Sequence, residues 1–195
     1  GGQLNYAEKP PMKEKITWLK ENMANQLRNA NVDIRLNTEA TADMLKDINP
    51  VGVFAACGSL PCVPQSIDGI KGANVYTVPQ ILSGKVKLEN KKVAIIGSGL
   101  TGMETAAFLG ERGCKPYIIE MMPKIGEGIF YQVLNDILDE LKKFDAQFYP
   151  GYKLTKITEN SVEAVNKDGE NLAIPVDAIV LSVGVVPDKD KVNEL

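Results

Sequence analysis

The chain of 195 residues contains no histidine. This absence excludes Ser-His-Asp and Cys-His catalysis within the chain, and it excludes histidine-ligated zinc. Cysteine occurs three times, as Cys57, Cys62 and Cys114, in an odd number and without a C-x-x-C spacing. The sequence therefore indicates neither a redox dithiol nor a disulfide framework, and we expect no metal site. We interpret all three cysteines as small buried apolar residues, because free cysteine is among the most buried residue types.

An excess of positive charge is also absent. The formal net charge of −3 and the pI of about 5.2 offer no basic surface to a nucleic acid or an anionic membrane, so we expect neither as a partner. No apolar run approaches the length of a membrane span. The content of 44% hydrophobic and 24% charged residues is typical of a folded globular protein. The chain opens without methionine or a secretory signal, and we expect a cytoplasmic protein cut from something longer.

Short elements are predicted in the first part of the chain. Apolar residues at helical spacing predict an amphipathic helix over 12–30, and strict alternation predicts a strand over 32–36. A short helix over 42–48 and a strand over 51–57, apolar throughout and therefore buried on both faces, are expected next. A turn-rich connection then leads to a short helix over 78–82.

The pattern sharpens after residue 92. A strand over 93–96, a glycine turn over 97–102, a helix over 103–112 and a strand over 116–120 form a β-turn-α-β unit, which has the size of one nucleotide-binding half. A second helix is predicted over 129–144. The remaining predicted elements are strands over 147–149, 153–159, 161–166, 172–174 and 178–183, a hairpin turn at 167–169, and a tail over 187–195 without a recognisable element.

The glycine turn Gly97-Ser98-Gly99-Leu100-Thr101-Gly102 matches the pattern G-x-G-x-x-G. The pattern alone is a weak signal, but here a strand precedes it, a helix follows it and the acidic Glu120 ends the next strand. Gly97 permits the tight turn, Gly99 lets the backbone approach a pyrophosphate, and Gly102 lets the helix pack on the sheet. The amides and the positive dipole at the start of the helix would bind the phosphates. The alternative is a close crossing of helix and sheet without a ligand.

Two carboxylates accompany this turn. Glu120 is placed to accept hydrogen bonds from the ribose hydroxyls and to repel a 2′-phosphate, which favours NAD(H) over NADP(H), although Lys124 lies close in sequence. The alternative for Glu120 is a solvated strand end. Glu104 falls in the first turn of the predicted helix, where its carboxylate either interacts favourably with the helix dipole or has a role near the nicotinamide. The sequence thus predicts an α/β fold with a Rossmann-like NAD(P)-binding domain, whose parallel sheet carries a β-hairpin or meander insertion.

These residues resemble a known class of flavoproteins. The segment Gly97 to Ala106, G-S-G-L-T-G-M-E-T-A, resembles the G-x-G-x-x-G-x-E-x-A pattern of the NAD(P)H domain in two-dinucleotide flavoprotein reductases. The segment from Ala56 to Pro61, which contains Gly58, resembles the A-T-G-x-x-P segment that links their FAD domain to the inserted NAD domain, with cysteine in place of the usual threonine. A second such segment, Leu181 to Pro187 with Gly184, stands where the chain of these proteins returns to the FAD domain.

The opening Gly1-Gly2-Gln3-Leu4-Asn5-Tyr6-Ala7 is similar to the carboxy-terminal region of the 2,4-dienoyl-CoA reductase, enoate reductase and trimethylamine dehydrogenase family of NADH:flavin oxidoreductases. The resemblance implies that Gly2, Gln3 and Leu4 lie beside FAD. It implies a remnant of a split FAD-binding domain over 1–86, an NAD(P)-binding domain over 87–184 and a return segment over 185–195. It also implies FMN and an iron-sulfur cluster outside this chain.

The resemblance implies a function for the parent protein. Its parent would transfer hydride from NADH to FAD and onward to a substrate such as an enoyl or dienoyl double bond. The partners would be the dinucleotide cofactors and the remainder of the parent chain, and the isolated piece would be inactive, with no catalytic residue of its own. Two alternatives remain: a non-catalytic module that binds ADP or a dinucleotide, and a disulfide reductase relative, for which the required cysteine pair is missing.

Overall fold

The computed structural model describes residues 2–194. In chain order the helices are α1 (Leu4–Ala7), α2 (Glu14–Asn29), α3 (Ala42–Ile48), α4 (Val78–Leu82), α5 (Leu100–Gly110), α6 (Tyr131–Lys142) and α7 (Lys189–Asn193). The strands are β1 (Ser59–Pro61), β2 (Val75–Thr77), β3 (Lys92–Ile96), β4 (Lys115–Glu120), β5 (Gln147–Pro150), β6 (Tyr152–Ile157), β7 (Ser161–Asn166), β8 (Asn171–Pro175), β9 (Ala178–Leu181) and β10 (Val185–Pro187).

A parallel sheet in the order β2-β9-β3-β4-β5 carries the site. Its central strand β3 is rich in β-branched residues, which fit a pleated surface covered on both sides. Because side chains alternate along a strand, Val93 and Ile95 enter one hydrophobic cluster, whereas Ala94 and Ile96 enter the other. The glycine turn follows directly at the carboxyl end of this strand.

Helices α4, α5 and α6 cover one face of the parallel sheet. Helix α5 presents the fully buried Met103, Ala106 and Leu109 to the sheet, and α6 adds the fully buried Leu141. The small side chains of α5 permit a close approach between helix and sheet. This packing fixes the first turn of α5 against the end of β3.

An antiparallel sheet in the order β6-β7-β8 covers the opposite face. Its inward residues Leu154, Val162 and Ile174 pack on the parallel sheet in the second cluster. The turn between β7 and β8 contains Gly169 at a φ of +82°, as a tight hairpin requires. The predicted α/β fold, with a parallel sheet and a meander insertion, is confirmed.

The short antiparallel pair of β1 and β10 joins two distant parts of the chain. Leu60 lies opposite Val186, so the segment that follows Gly58 runs beside the segment that follows Gly184. The two motif segments that sequence analysis singled out are therefore neighbours in the fold.

Two predicted strands are wrong. The residues 32–36 and 51–57 form no strand, and Val51 and Phe54 are fully exposed instead of buried on both faces. A strand needs a hydrogen-bonded neighbour, and no strand in the described part of the chain pairs with either segment. From residue 11 to residue 69 no residue is buried.

Other expectations also need correction. Cys57 is exposed and Cys62 half-buried, so that only Cys114 has the predicted buried environment, where its thiol donates to the Leu88 carbonyl at 3.4 Å. Cys57 and Cys62 lie in the sparsely packed connection before β2, which explains their exposure. The tail over 187–195, predicted to lack a recognisable element, contains α7, whose start is capped by the Asp188 side chain through the amide of Lys191. Within residues 2–194 no helix is long and apolar enough to cross a membrane.

Candidate functional site

Two glycines of the turn are required by the fold itself. Gly97 has a φ of +103°, which side chains rarely adopt, and a Cβ there would overlap the carbonyl oxygen of Ser182. At Gly102 a Cβ would overlap the Gly97 carbonyl oxygen and lie 3.1 Å from the Ser182 hydroxyl. Folding alone therefore accounts for glycine at both positions.

Gly99 differs from its neighbours in this respect. Its φ of −60° and ψ of 166° are open to any residue, and a Cβ built there meets no atom within 4 Å. It is the N-cap of α5, and no side chain caps this helix. The first amides of an α-helix lack acceptors within the helix, so those of α5 are directed toward the space in front of Gly99. That space fits an anionic group at the helix start.

Glu120 is hydrogen-bonded to the turn across the sheet edge. Its Oε2 accepts from the Ser98 amide at 2.8 Å and from the Ser98 hydroxyl at 2.9 Å, and its Oε1 accepts from the Met122 amide at 2.8 Å. The Ser98 hydroxyl also accepts from the Gly126 amide at 3.0 Å. Ser98 is thereby buried, with 1% of its surface exposed, and Glu120 is half-buried. The carboxylate is fixed beside the turn.

An open cleft of about 580 Å³ lies beside the start of α5. We name it the central cleft; it is bounded by residues 3–10, which we call the N-terminal turn, and by the β1–β10 pair, α4 and α5. Its size falls within the range of about 300–1,000 Å³ that is typical of small-molecule sites. Of the predicted site residues it is lined by Gln3, Leu4, Gly99, Leu100, Thr101, Glu104 and Gly184. Its lining does not include Gly2, Gly58, Gly97, Ser98, Gly102 or Glu120.

Glu104 faces this cleft, but it does not lie where the sequence placed it. Helix α5 begins at Leu100, not at 103, and no acidic residue stands in its first turn. The prediction of a first-turn carboxylate is therefore wrong, and with it the dipole argument, because the dipole effect fades beyond the first turn. The Glu104 side chain is 13% exposed and forms an ion pair with Lys13. This pair joins the segment before α2 to the glycine-turn helix.

The N-terminal turn is held in place by polar contacts. Gln3 donates from its side-chain amide to the Ser59 hydroxyl, which attaches the turn to β1. Further along, Glu8 accepts from Lys20 at 2.5 Å, from Lys9 at 2.9 Å and from Thr17 at 3.1 Å. The hydrogen bonds from Lys20 and Lys9 lower the pKa of Glu8 to about 2. These contacts fix Gln3 and Leu4 at the rim of the central cleft.

Three predicted site glycines outside the glycine turn also have positive φ angles, and of these Gly184 lines the central cleft. Gly58 and Gly184 have φ values of +85° and +96°, and Gly2 has +48°. A Cβ at any of the three would meet no atom within 4 Å, so backbone conformation is what favours glycine there. Gly184 accepts from the Cys62 amide through its carbonyl, which extends the β1–β10 pairing.

Sequence reasoning missed three parts of this site. The ion pair of Lys13 with Glu104 and the bridging role of Ser98 both join residues far apart in the chain, and no local pattern signals such a contact. It also missed the apolar wall that Val78, Pro79 and Leu82 of α4 give to the cleft. A capping box at Thr77 and Gln80 fixes the start of α4 and thus the position of that wall. Within residues 2–194 no cluster of three or more His, Cys, Asp or Glu side chains could hold a metal ion.

The parallel sheet has a glycine turn at the end of its central strand and a carboxylate at the end of the next strand. This arrangement is that of a Rossmann-type dinucleotide-binding domain. The match of residues 8–195 to the family model described as pyridine nucleotide-disulphide oxidoreductase shows that the chain belongs to this family. The family binds FAD and NAD(P)H, and its members related to this chain are oxidoreductases.

Several relatives match nearly the whole chain. A bilirubin reductase from Mediterraneibacter gnavus is 36% identical over 195 residues, which are 100% of this chain and 30% of that protein. An NADH oxidase from Thermoanaerobacter brockii is 33% identical over 193 residues, covering 96% of this chain and 29% of that protein. A 2-naphthoyl-CoA reductase structure matches with a TM-score of 0.90 at 26% identity, covering 100% of this chain and 29% of that one. The chain thus spans under a third of each, and the resemblance to flavin-dependent reductases is confirmed.

Proposed function

We propose that this chain is the nucleotide-binding region of a flavin-dependent oxidoreductase that takes hydride from NADH. The observation that carries the proposal is the central cleft, where the glycine turn meets the N-terminal turn and the segment around Gly184. In the parent protein the hydride would pass from NADH to FAD and onward to a substrate such as an enoyl or dienoyl double bond.

The residues of the turn fit the diphosphate of a dinucleotide. Gly99 leaves free space where any side chain would project, although the fold does not require glycine there. The uncapped amides at the start of α5 can donate to phosphate oxygens, and the positive end of the helix dipole favours their charge. No lysine is needed for this contact, in keeping with the net charge of −3.

The remaining lining of the cleft suits the two ring systems. Val78, Pro79 and Leu82 supply an apolar wall, and Leu4 faces it from the N-terminal turn. We infer that the nicotinamide enters between α4 and α5, with Glu104 near its polar edge. The flavin would lie against Gln3, Leu4 and Gly184, as the resemblance implies. Bound NADH and FAD supply the hydride chemistry, and this chain orients them and excludes water, because misalignment would lose most of the rate.

Glu120 supports NADH as the preferred nucleotide. Its carboxylate is held at the sheet edge beside the turn, where the adenosine ribose of a Rossmann-bound dinucleotide lies. A 2′-phosphate at that position would meet a negative charge.

The domain organisation proposed from the sequence places residues 1–86 and 185–195 in a split FAD-binding domain and 87–184 in the NAD(P)-binding domain. Exposed apolar side chains along α2, among them Leu19, Met23 and Leu27, support the first part of this division, since nearly half of each is exposed. Residues 75–82, which it counts with the first part, instead contribute β2 and α4 to the parallel sheet and its helical layer. A groove of about 630 Å³ follows α2. The remainder of the parent chain would cover these surfaces.

Calorimetric titration of the 195-residue chain with NADH, NADPH and ADP tests the proposal. We expect NADH to bind more tightly than either of the others, because the cleft offers contacts to the nicotinamide half and Glu120 disfavours the 2′-phosphate. Equal affinities for NADH and ADP would favour a non-catalytic nucleotide-binding module. Absence of binding by all three would contradict the proposal.

A further inference from the structure

Ser98 is one of two buried polar side chains in the described part of the chain; the other is Thr105. The Thr105 hydroxyl donates within its own helix to the Thr101 carbonyl at 2.7 Å, a local contact. The Ser98 hydroxyl instead contacts two other segments, since it donates to Glu120 and accepts from the Gly126 amide. The Ser98 hydroxyl therefore joins three segments at the edge of the proposed site. Packing alone does not require a hydroxyl at this position.

The hydrogen bonds of Glu120 limit what this carboxylate can still accept. A carboxylate has about four acceptor positions, two on each oxygen. Oε2 already receives the Ser98 amide and hydroxyl, and Oε1 receives the Met122 amide. One position therefore remains, on Oε1. Because three donors hold its two oxygens, the carboxylate is restricted in turning away from a group in front of it, and of these three bonds the one from the Ser98 hydroxyl comes from a side chain.

We propose that Ser98 determines the nucleotide specificity of the site by holding the Glu120 carboxylate in place. In this position the carboxylate receives one ribose hydroxyl and repels a 2′-phosphate, which it could otherwise avoid by turning toward water. Ser98 is a positioning residue and does not contact the nucleotide through its side chain. This inference rests on the proposed NADH site.

Replacing Ser98 by alanine removes one of the three bonds to the carboxylate and leaves the two backbone bonds. It also removes the acceptor of the Gly126 amide, which holds the loop after β4 against the turn. We expect the preference for NADH over NADPH to fall about tenfold, which is near the lower end of what a hydrogen bond to a charged group contributes. The preference should fall mainly because NADPH binds more tightly, and to a smaller extent because NADH binds less tightly.

The experiment is a double-mutant cycle on the 195-residue chain, with Kd values for NADH and NADPH measured by calorimetry. Its members are the wild type, Ser98→Ala, Glu120→Ala and the double variant. Thr105→Val is the matched control, because it removes the other buried hydroxyl without touching Glu120. Ser98→Cys keeps a weak donor and serves as the second variant if Ser98→Ala folds poorly; it should give an intermediate preference.

We expect the preference for NADH over NADPH to be lower in Ser98→Ala than in the wild type. Ser98→Ala should cause no further change in this preference when Glu120 is already alanine, and Thr105→Val should keep the wild-type value. Amide exchange at Gly126 should also accelerate in both variants that carry Ser98→Ala, and not in Glu120→Ala or Thr105→Val.

Three results would each overturn the role of Ser98 while leaving the NADH site intact. They are an unchanged preference in Ser98→Ala, an equal loss of affinity for NADH and NADPH, and an effect of Ser98→Ala that is the same when Glu120 is already alanine. If the wild type bound neither dinucleotide, the proposed function itself would fail.

Discussion

Replacement of Gly99 by alanine separates binding from folding. The alanine backbone can adopt the φ of −60° and ψ of 166° found at this position, and its Cβ meets no atom of the chain within 4 Å. A glycine replaced under such conditions stabilises a protein by about 0.4–1 kcal/mol, because the unfolded chain loses freedom. We therefore expect the free energy of unfolding to stay the same or to rise slightly.

Binding should respond in the opposite direction. The new methyl group would occupy the space in front of the α5 amides and hold the diphosphate away from them. Loss of two hydrogen bonds to a charged group, at about 1.5–3 kcal/mol each, lowers the affinity for NADH by at least about 100-fold. Gly99→Val, with a larger side chain, should abolish measurable binding and leave the fold mostly intact.

Two measurements check this prediction. Calorimetry gives the Kd for NADH, and urea unfolding gives the stability of the same preparation. Gly102→Ala is the control, because its Cβ would overlap the Gly97 carbonyl oxygen and so should destabilise the fold. An alanine at position 99 that leaves the affinity for NADH undiminished would refute the assignment of this space to the diphosphate.

Three further predictions concern single side chains. Glu120→Ala should weaken NADH binding and relax the discrimination against NADPH, and an unchanged ratio of the two Kd values would remove Glu120 from the site. Cys57 should react with a thiol reagent under native conditions much faster than Cys114, because Cys114 is buried and burial raises the pKa of its thiol. Mass spectrometry of the labelled peptides measures the two rates separately, and equal rates would contradict the difference in exposure between the two cysteines. Glu8, with its pKa lowered from 4.5 to about 2 chiefly by Lys20, should add stability that is present above pH 4.5 and lost as the pH falls toward 2. The stability gap between wild type and Glu8→Gln should therefore narrow over that interval in urea titrations, and a gap that widened would show the sign to be wrong.

Local patterns predicted the nucleotide-binding unit well because its order of elements follows from neighbouring residues. The apolar run of β3, the glycine turn and the alanine-rich α5 are contiguous, and each has its own signature. The start of α5 was predicted three residues late, since Gly102 was assigned to the turn although it lies within the helix. That shift misplaced Glu104 in the first turn.

Strands without partners could not be predicted correctly from pattern alone. The residues 51–57 have the composition of a buried strand, yet burial depends on neighbours that are distant in sequence. Contacts such as Lys13 with Glu104 are invisible for the same reason, since the two residues are far apart in the chain. What a sequence specifies locally, such as a turn or a helix, can be inferred from it. A strand or contact that depends on pairing between distant segments can be identified only once the fold is known.

The difference among the three glycines of the turn is the strongest reason to treat it as a ligand site. Steric overlap explains Gly97 and Gly102 without any ligand, and a positive φ is a second reason at Gly97. Neither reason applies to Gly99, and a serine or aspartate at this N-cap would stabilise α5 by accepting from its first amides. Such a cap would use the same donors that a diphosphate needs. Glycine at this position leaves those amides free and the space before them open, a combination that folding does not require and that binding of an anion does.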